Sequence, residues 1–166
     1  VEDGQLAHPL RVVQGQTVGA AAATVVARNG EPLEAQLVHH GDLVAEHRGA
    51  RGLMPENTLP AFQRALDLDV STIECDMAIT KDGVVVIHHD LWLNPDTTRG
   101  PDGKWLDARG PAIHDLTFQE LQQYDVGRLK PGTEYAKASP EQQPVDGTRI
   151  PRLADLFDLV KKSGNA

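Results

Sequence analysis

The chain has 166 residues, about one domain's worth, and its 40% hydrophobic and 24% charged content excludes a disordered or fibrous protein. Its 24 acidic against 16 basic residues give a net charge of −8, which argues against a nucleic-acid partner held by phosphate neutralisation. The single cysteine, Cys75, excludes an internal disulfide and a multi-cysteine zinc site, and no apolar run of about 20 residues exists to span a membrane.

The chain begins at Val1 and is read as processed or cut from something longer; Glu2 and Asp3 stand where a secretory signal would be basic. Residues 1–42 read as an N-terminal extension or a small hairpin, with Thr24–Ala27 and Leu33–Val38 flanking the turn-forming pair Asn29-Gly30. His39 and His40 are adjacent, so on a strand they would point to opposite faces and make poor joint metal ligands. The main body spans 43–166.

A short strand at 43–46 leads to His47. The Gly- and Pro-containing stretch from Arg48 to Thr58 reads as a loop, with Asn57 or Thr58 as the cap of a helix over 59–68. Its apolar positions Leu59, Phe62, Ala65 and Leu66 recur at helical spacing. Residues 72–79 alternate as a strand, with Ile73, Cys75, Met77 and Ile79 on one face and Glu74, Asp76 and Ala78 on the other. A second strand, 84–89, follows the turn Lys81-Asp82-Gly83. The link is too short for a parallel crossover, which needs about a dozen residues, so the pair must be an antiparallel hairpin. Residues 92–115 read as a long surface insertion, 117–124 as a helix opened by the capping box Thr117/Glu120, 127–149 as loop, and 153–160 as a final amphipathic helix with Arg152 a weak cap.

Glu74 and Asp76, two apart on a strand, point the same way about 7 Å apart. Two buried carboxylates need a proton or a cation, and oxygen-only ligands select Mg²⁺ or Ca²⁺; the plain alternative is a solvated polar face. The hairpin turn decides which histidine joins them. A two- or four-residue loop sets His89 opposite Glu74, and Asp82-Gly83 alone as the turn sets it opposite Asp76. A three-residue loop exchanges His88 for His89, because a one-residue slip flips the face. Arg48, beside a helix start, suits an anion such as phosphate. Two histidines, two carboxylates and an arginine are the kit for metal-assisted phosphodiester cleavage.

His47-Arg48-Gly49, Pro55-Glu56-Asn57-Thr58, Ala61-Phe62, Ile73-Glu74-Cys75-Asp76, Thr80-Lys81-Asp82-Gly83 and His89-Asp90 occur in an order and spacing that resemble the glycerophosphodiester phosphodiesterase family over about 50 residues. The resemblance implies an α/β fold, the N-terminal part of a TIM-type (β/α)₈ barrel of the phospholipase-C-like phosphodiesterase kind, stopping after about three strands. It implies that His47 and His89 are acid/base groups, Glu74 and Asp76 ligands of Ca²⁺ or Mg²⁺, and Arg48 a phosphate contact. The reaction it implies is hydrolysis of a small-molecule glycerophosphodiester to glycerol 3-phosphate and an alcohol, with Trp92 and Trp105 available to a choline group.

A TIM barrel takes about 250 residues, so the family's third metal-binding carboxylate and catalytic lysine are expected beyond Ala166. A non-catalytic partial barrel, prone to self-association through its open edge, is one alternative reading; a sphingomyelinase-type phospholipase D is another. A periplasmic or secreted location is preferred to a cytoplasmic one.

Overall fold

A computed structural model of the chain describes residues 12–17, 20–26, 48–68, 70 and 72–163, with the segments before residue 48 and Thr72 described as backbone only. The expected strand at 43–46, the pair His39-His40, the turn Asn29-Gly30 and His47 lie outside the described residues.

The elements run β1 (Val12–Thr17), β2 (Ala20–Val26), α1 (Leu59–Asp67), β3 (Thr72–Ile79), β4 (Val85–Ile87), a 3₁₀ turn (Ile113–Asp115), α2 (Phe118–Leu121), α3 (Glu134–Ala138) and α4 (Leu153–Lys162). One sheet has the order β1-β2-β3-β4, and every neighbouring pair is antiparallel. A hairpin joins β1 to β2, and β2 lies along β3 with Thr24 opposite Glu74. The described strands contain no parallel pair of the kind a (β/α)₈ barrel requires. The free side of β4 is covered by the chain just before α4: Ile87 N–H donates to Pro151 O at 2.9 Å, and Val86 bridges Arg152.

α1 starts where its cap allows. Thr58 Oγ1 accepts from Ala61 N–H at 3.3 Å and donates to Pro55 O, making Thr58, and not Asn57, the cap. Phe62, Ala65 and Leu66 then fall on one buried face. They pack with Ile73 and Cys75 of β3, Ile87 of β4, and Leu156 and Val160 of α4. α4 is opened by Asp155, whose carboxylate accepts both the Arg152 backbone N–H and its guanidinium. The weak cap expected at Arg152 is thus supported from Asp155, which accepts the Arg152 backbone N–H while the guanidinium itself caps nothing.

The opposite face of the hairpin carries a second cluster of Val86, Leu93, Ile113, Leu121, Val126 and Ile150. Residues 92–115 are therefore not a surface insertion but the cover of the polar face of β3. The apolar face of β3 stops short of expectation as well: Ile79, at the hairpin end, is 60% exposed. The segment between α2 and α4 is tied down by charge. Arg99 pairs with Asp125 at 2.6 Å and also with Asp146, which Arg128 holds through two bonds. The hydrogen bonds from Arg128, then Arg99, hold the Asp146 carboxyl down at about 2, although its own burial opposes them. Within this tied segment Thr133 caps α3, a helix not anticipated from the Pro- and Gly-rich sequence.

Candidate active site

The site grows from the β3–β4 turn. Lys81-Asp82-Gly83 forms a three-residue loop: Gly83 has φ +81°, its N–H donates to Thr80 O at 3.0 Å, and Thr80 N–H donates to Val84 O at 3.0 Å. A three-residue loop ending in a left-handed glycine is a common hairpin solution. It sets Met77 opposite Ile87 and Ala78 opposite Val86, and His88 N–H donates to Asp76 O at 3.0 Å. The register is thus the third alternative, and it corrects both arrangements that set His89 opposite Glu74 or Asp76. His88 is the imidazole on the carboxylate face.

His88 is buried, with Nε2 3.3 Å from Trp92 O. Burial pushes its pKa below the usual imidazole value, against the pull of the Trp92 carbonyl and Asp90, and keeps it neutral. β4 ends at Ile87, so His89 leaves the sheet and strand alternation no longer sets its direction. Its ring is 39% exposed and bonds Asp90 Oδ1 at 2.7 Å.

Arg48 holds the other side. Its φ is +62°, a left-handed conformation that a non-glycine residue keeps only when its neighbours impose it. Arg48 N–H donates to Glu74 Oε2 at 2.9 Å, and Arg48 O accepts from Asn57 N–H at 2.9 Å. Nη1 donates to Glu56 Oε1 at 3.0 Å and to the Tyr135 hydroxyl at 3.4 Å. Nε lies 3.1 Å from Asp76 Oδ2, an ion pair whose angle falls outside a hydrogen bond, so that buried Nε–H has no hydrogen-bond partner among the described residues. Burial disfavours the guanidinium charge, but Glu56, Tyr135 and Asp76 together raise its pKa and hold it cationic.

Asn57, also left-handed at φ +55°, braces Asp76 twice: Nδ2 donates to Oδ2 at 3.1 Å, and Oδ1 accepts the Asp76 N–H at 3.4 Å. Asparagine tolerates this conformation better than most residues. Tyr135 comes from α3. Burial first, then the charges of Glu56 and Asp90, push its pKa up against the Arg48 contact, so the hydroxyl stays protonated.

Gly49 makes the approach of Arg48 feasible. At φ +74° an added Cβ would sit 3.0 Å from Phe62 Cδ1 and 3.1 Å from the backbone carbon of Ala61. Gly49→Ala is expected to lose about 1–3 kcal/mol, from left-handed strain plus collision with helix backbone, read as a lower urea midpoint at unchanged slope.

Of the five residues singled out from sequence, Arg48, Glu74 and Asp76 are in one bonded cluster, His89 stands at its edge, and His47 lies outside the described residues. Glu56, Asn57 and Tyr135 join the cluster without having been assigned to it, and His88 joins it as the three-residue-loop alternative allowed. The positive-φ tolerance of asparagine and the Asp82-Gly83 turn were the only signals for any of them. One ring face of Trp92 is covered by the Arg109 guanidinium, 3.6 Å from its centroid. Cys75 is chemically quiet: burial, then Glu74 and Asp76, push its thiol up to about 12.

A buried cation among carboxylates, with a partly exposed imidazole at the rim, defines a site able to grip an anion and move a proton. The model of the glycerophosphoryl diester phosphodiesterase family matches residues 47–166, and the chain belongs to that family, a family of phosphoric diester hydrolases. It is 36% identical over 118 residues to the glycerophosphodiester phosphodiesterase of Caldanaerobacter subterraneus subsp. tengcongensis, covering 71% of this chain and 40% of the relative. It is 30% identical over 123 residues to the Bacillus subtilis enzyme of that name, covering 74% and 38%. A crystal structure from Silicibacter pomeroyi DSS-3, provisionally a glycerophosphoryl diester phosphodiesterase, superposes with a TM-score of 0.69 at 39% identity, over 72% of this chain and 40% of that one. The chain thus spans about two fifths of the length of these relatives.

Proposed function

We propose that this chain supplies the phosphate grip, the acid/base pair and part of a divalent-metal site for hydrolysis of glycerophosphodiesters to glycerol 3-phosphate and an alcohol. The observation that carries the reading is the buried Arg48 guanidinium, held cationic between Glu56 and Asp76 with its buried Nε–H unspent. A phosphodiester presents the charge and acceptor oxygens that this donor lacks.

Among the described residues no group of three or more acidic, histidine or cysteine side chains gathers to hold a metal. Glu74 and Asp76 fit a hard cation in kind, being oxygen donors on one face, and fall short in number, so a further ligand must come from elsewhere in the protein. They are the residues that would hold Ca²⁺ or Mg²⁺, and the ion would offset charge on the phosphoryl oxygens. Arg48 binds one such oxygen. Of His47 and His89, one takes the proton of the attacking oxygen and the other gives a proton to the leaving alcohol. The partial-barrel architecture and a periplasmic or secreted location belong to the same proposal.

The direct test is release of glycerol 3-phosphate from glycerophosphocholine with Ca²⁺ or Mg²⁺ against a chelator control. No release by the full-length protein would overturn the reading. For the metal, calorimetric titration should give at least a tenfold weaker affinity for Glu74→Gln/Asp76→Asn; an unchanged affinity removes that pair from the site.

A further inference from the structure

We propose that Asp90 and Asn94 are positioning residues that fix which ring nitrogen of His89 carries its proton. This rests on reading His89 as an acid/base group, which is tested separately below. Asp90 Oδ1 lies 2.7 Å from His89 Nδ1. An ionised carboxylate only accepts hydrogen bonds, so the neutral ring must carry its proton on Nδ1 and keep its lone pair on Nε2.

The other oxygen of Asp90 is fixed too. Asp90 Oδ2 accepts from Asn94 Nδ2 at 2.7 Å, while Asn94 Oδ1 accepts the backbone N–H of Asp96 at 2.9 Å. A backbone N–H can only donate, so the Asn94 amide cannot be flipped, and its NH₂ must face Asp90. Asp96 is anchored in turn, its carbonyl accepting from Lys130 N–H at 2.7 Å, and Asn94 O accepts from Thr97 N–H at 3.2 Å. The polarity of every link is determined from a backbone turn at 94–97 to the imidazole. The segment 92–115 thereby reaches the rim of the site through the Asp90 carboxylate, while its Trp92 carbonyl meets His88.

Asp90→Asn has a definite consequence. The substitution keeps shape, and Asn94 still donates. The new amide must therefore turn its oxygen to Asn94 and its NH₂ to His89, which demands a lone pair on Nδ1 and drives the ring proton to Nε2. Removing the constraint as well, in Asp90→Asn/Asn94→Ala, lets the amide at 90 rotate and accept from Nδ1–H again. In ¹⁵N-histidine-labelled full chain, at a pH above the imidazole titration, two-bond ¹H–¹⁵N correlations should show Nδ1–H in the parent. They should show Nε2–H in the single variant and a return toward Nδ1–H in the double.

Retention of Nδ1–H in Asp90→Asn, or no reversal in the double variant, would overturn the proposal. General misfolding does not produce inversion followed by reversal. Where hydrolysis is followed in parallel, Asp90→Asn should lower kcat by about 10²-fold or more with KM unchanged, within what a positioned general base contributes; an unchanged kcat would overturn the positioning role. Full hydrolysis by His89→Ala would instead strike the acid/base reading of His89 and leave the tautomer result standing.

Discussion

His89→Ala should lower kcat for glycerophosphodiester hydrolysis by about 10²–10⁴-fold with little change in KM, because it removes a proton carrier that acts in the transition state without removing the phosphate grip. The Arg48 guanidinium is held by Glu56 and Asp76, and Asp76 in turn by Asn57, so the grip should persist. His47→Ala should fall in the same range. The double variant should be little worse than the poorer single, since groups that act as a unit do not add. Steady-state kinetics with glycerophosphocholine and a saturating divalent ion decides it. His88→Ala is the informative companion. That ring is buried against the Trp92 carbonyl and held neutral, so its loss should lower stability by opening a cavity and freeing a buried carbonyl. A kcat collapse in His88→Ala with normal kinetics in His89→Ala would reverse the assignment of the two histidines.

That adjacent pair shows where sequence was informative and where it was not. The alternation in 72–79 is read from its period of two, and Ile73 and Cys75 are in the core, although Ile79 at the hairpin end is exposed. The register of its partner depends on one backbone angle. Gly83 at φ +81° makes the loop three residues long, and that single residue exchanges His88 for His89 on the carboxylate face. Composition allows this turn and does not require it. Tyr135 is a different failure. It reaches Arg48 across 87 positions of sequence, carried by a five-residue helix whose placement depends on the Arg99–Asp125–Asp146–Arg128 ion pairs, and long-range charge pairing has no local period to detect. The Arg48 motif lies between these cases. Its neighbours were legible as a loop before a helix, but not the left-handed turn that aims its N–H at Glu74 and its guanidinium at Asp76.

Arg48→Ala should destabilise the chain by about 3–5 kcal/mol in divalent-free buffer, because it removes the cation from two carboxylates that stay largely buried, at 16% side-chain exposure for Glu56 and 11% for Asp76. For a chain of this size that is a fall in Tm of roughly 6–20 °C. The loss should shrink in Arg48→Ala/Asp76→Asn, where one stranded charge is gone, and the difference measures the coupling. The sign of the metal effect follows from the same geometry. Arg48 Nε and a cation would both seek Asp76 Oδ2, so the guanidinium partly occupies the role of the ion and weakens its binding. Without Arg48, Ca²⁺ or Mg²⁺ should stabilise the chain more than it does the parent, its total effect reaching about 2.7 kcal/mol at a hundredfold excess over the variant's Kd. Substrate affinity should move the other way, with KM rising as the buried N–H donors are lost. An ion that stabilises parent and variant equally would mean that Arg48 and the metal do not share Asp76. The carboxylates of β3 would then be a partner for arginine and nothing more.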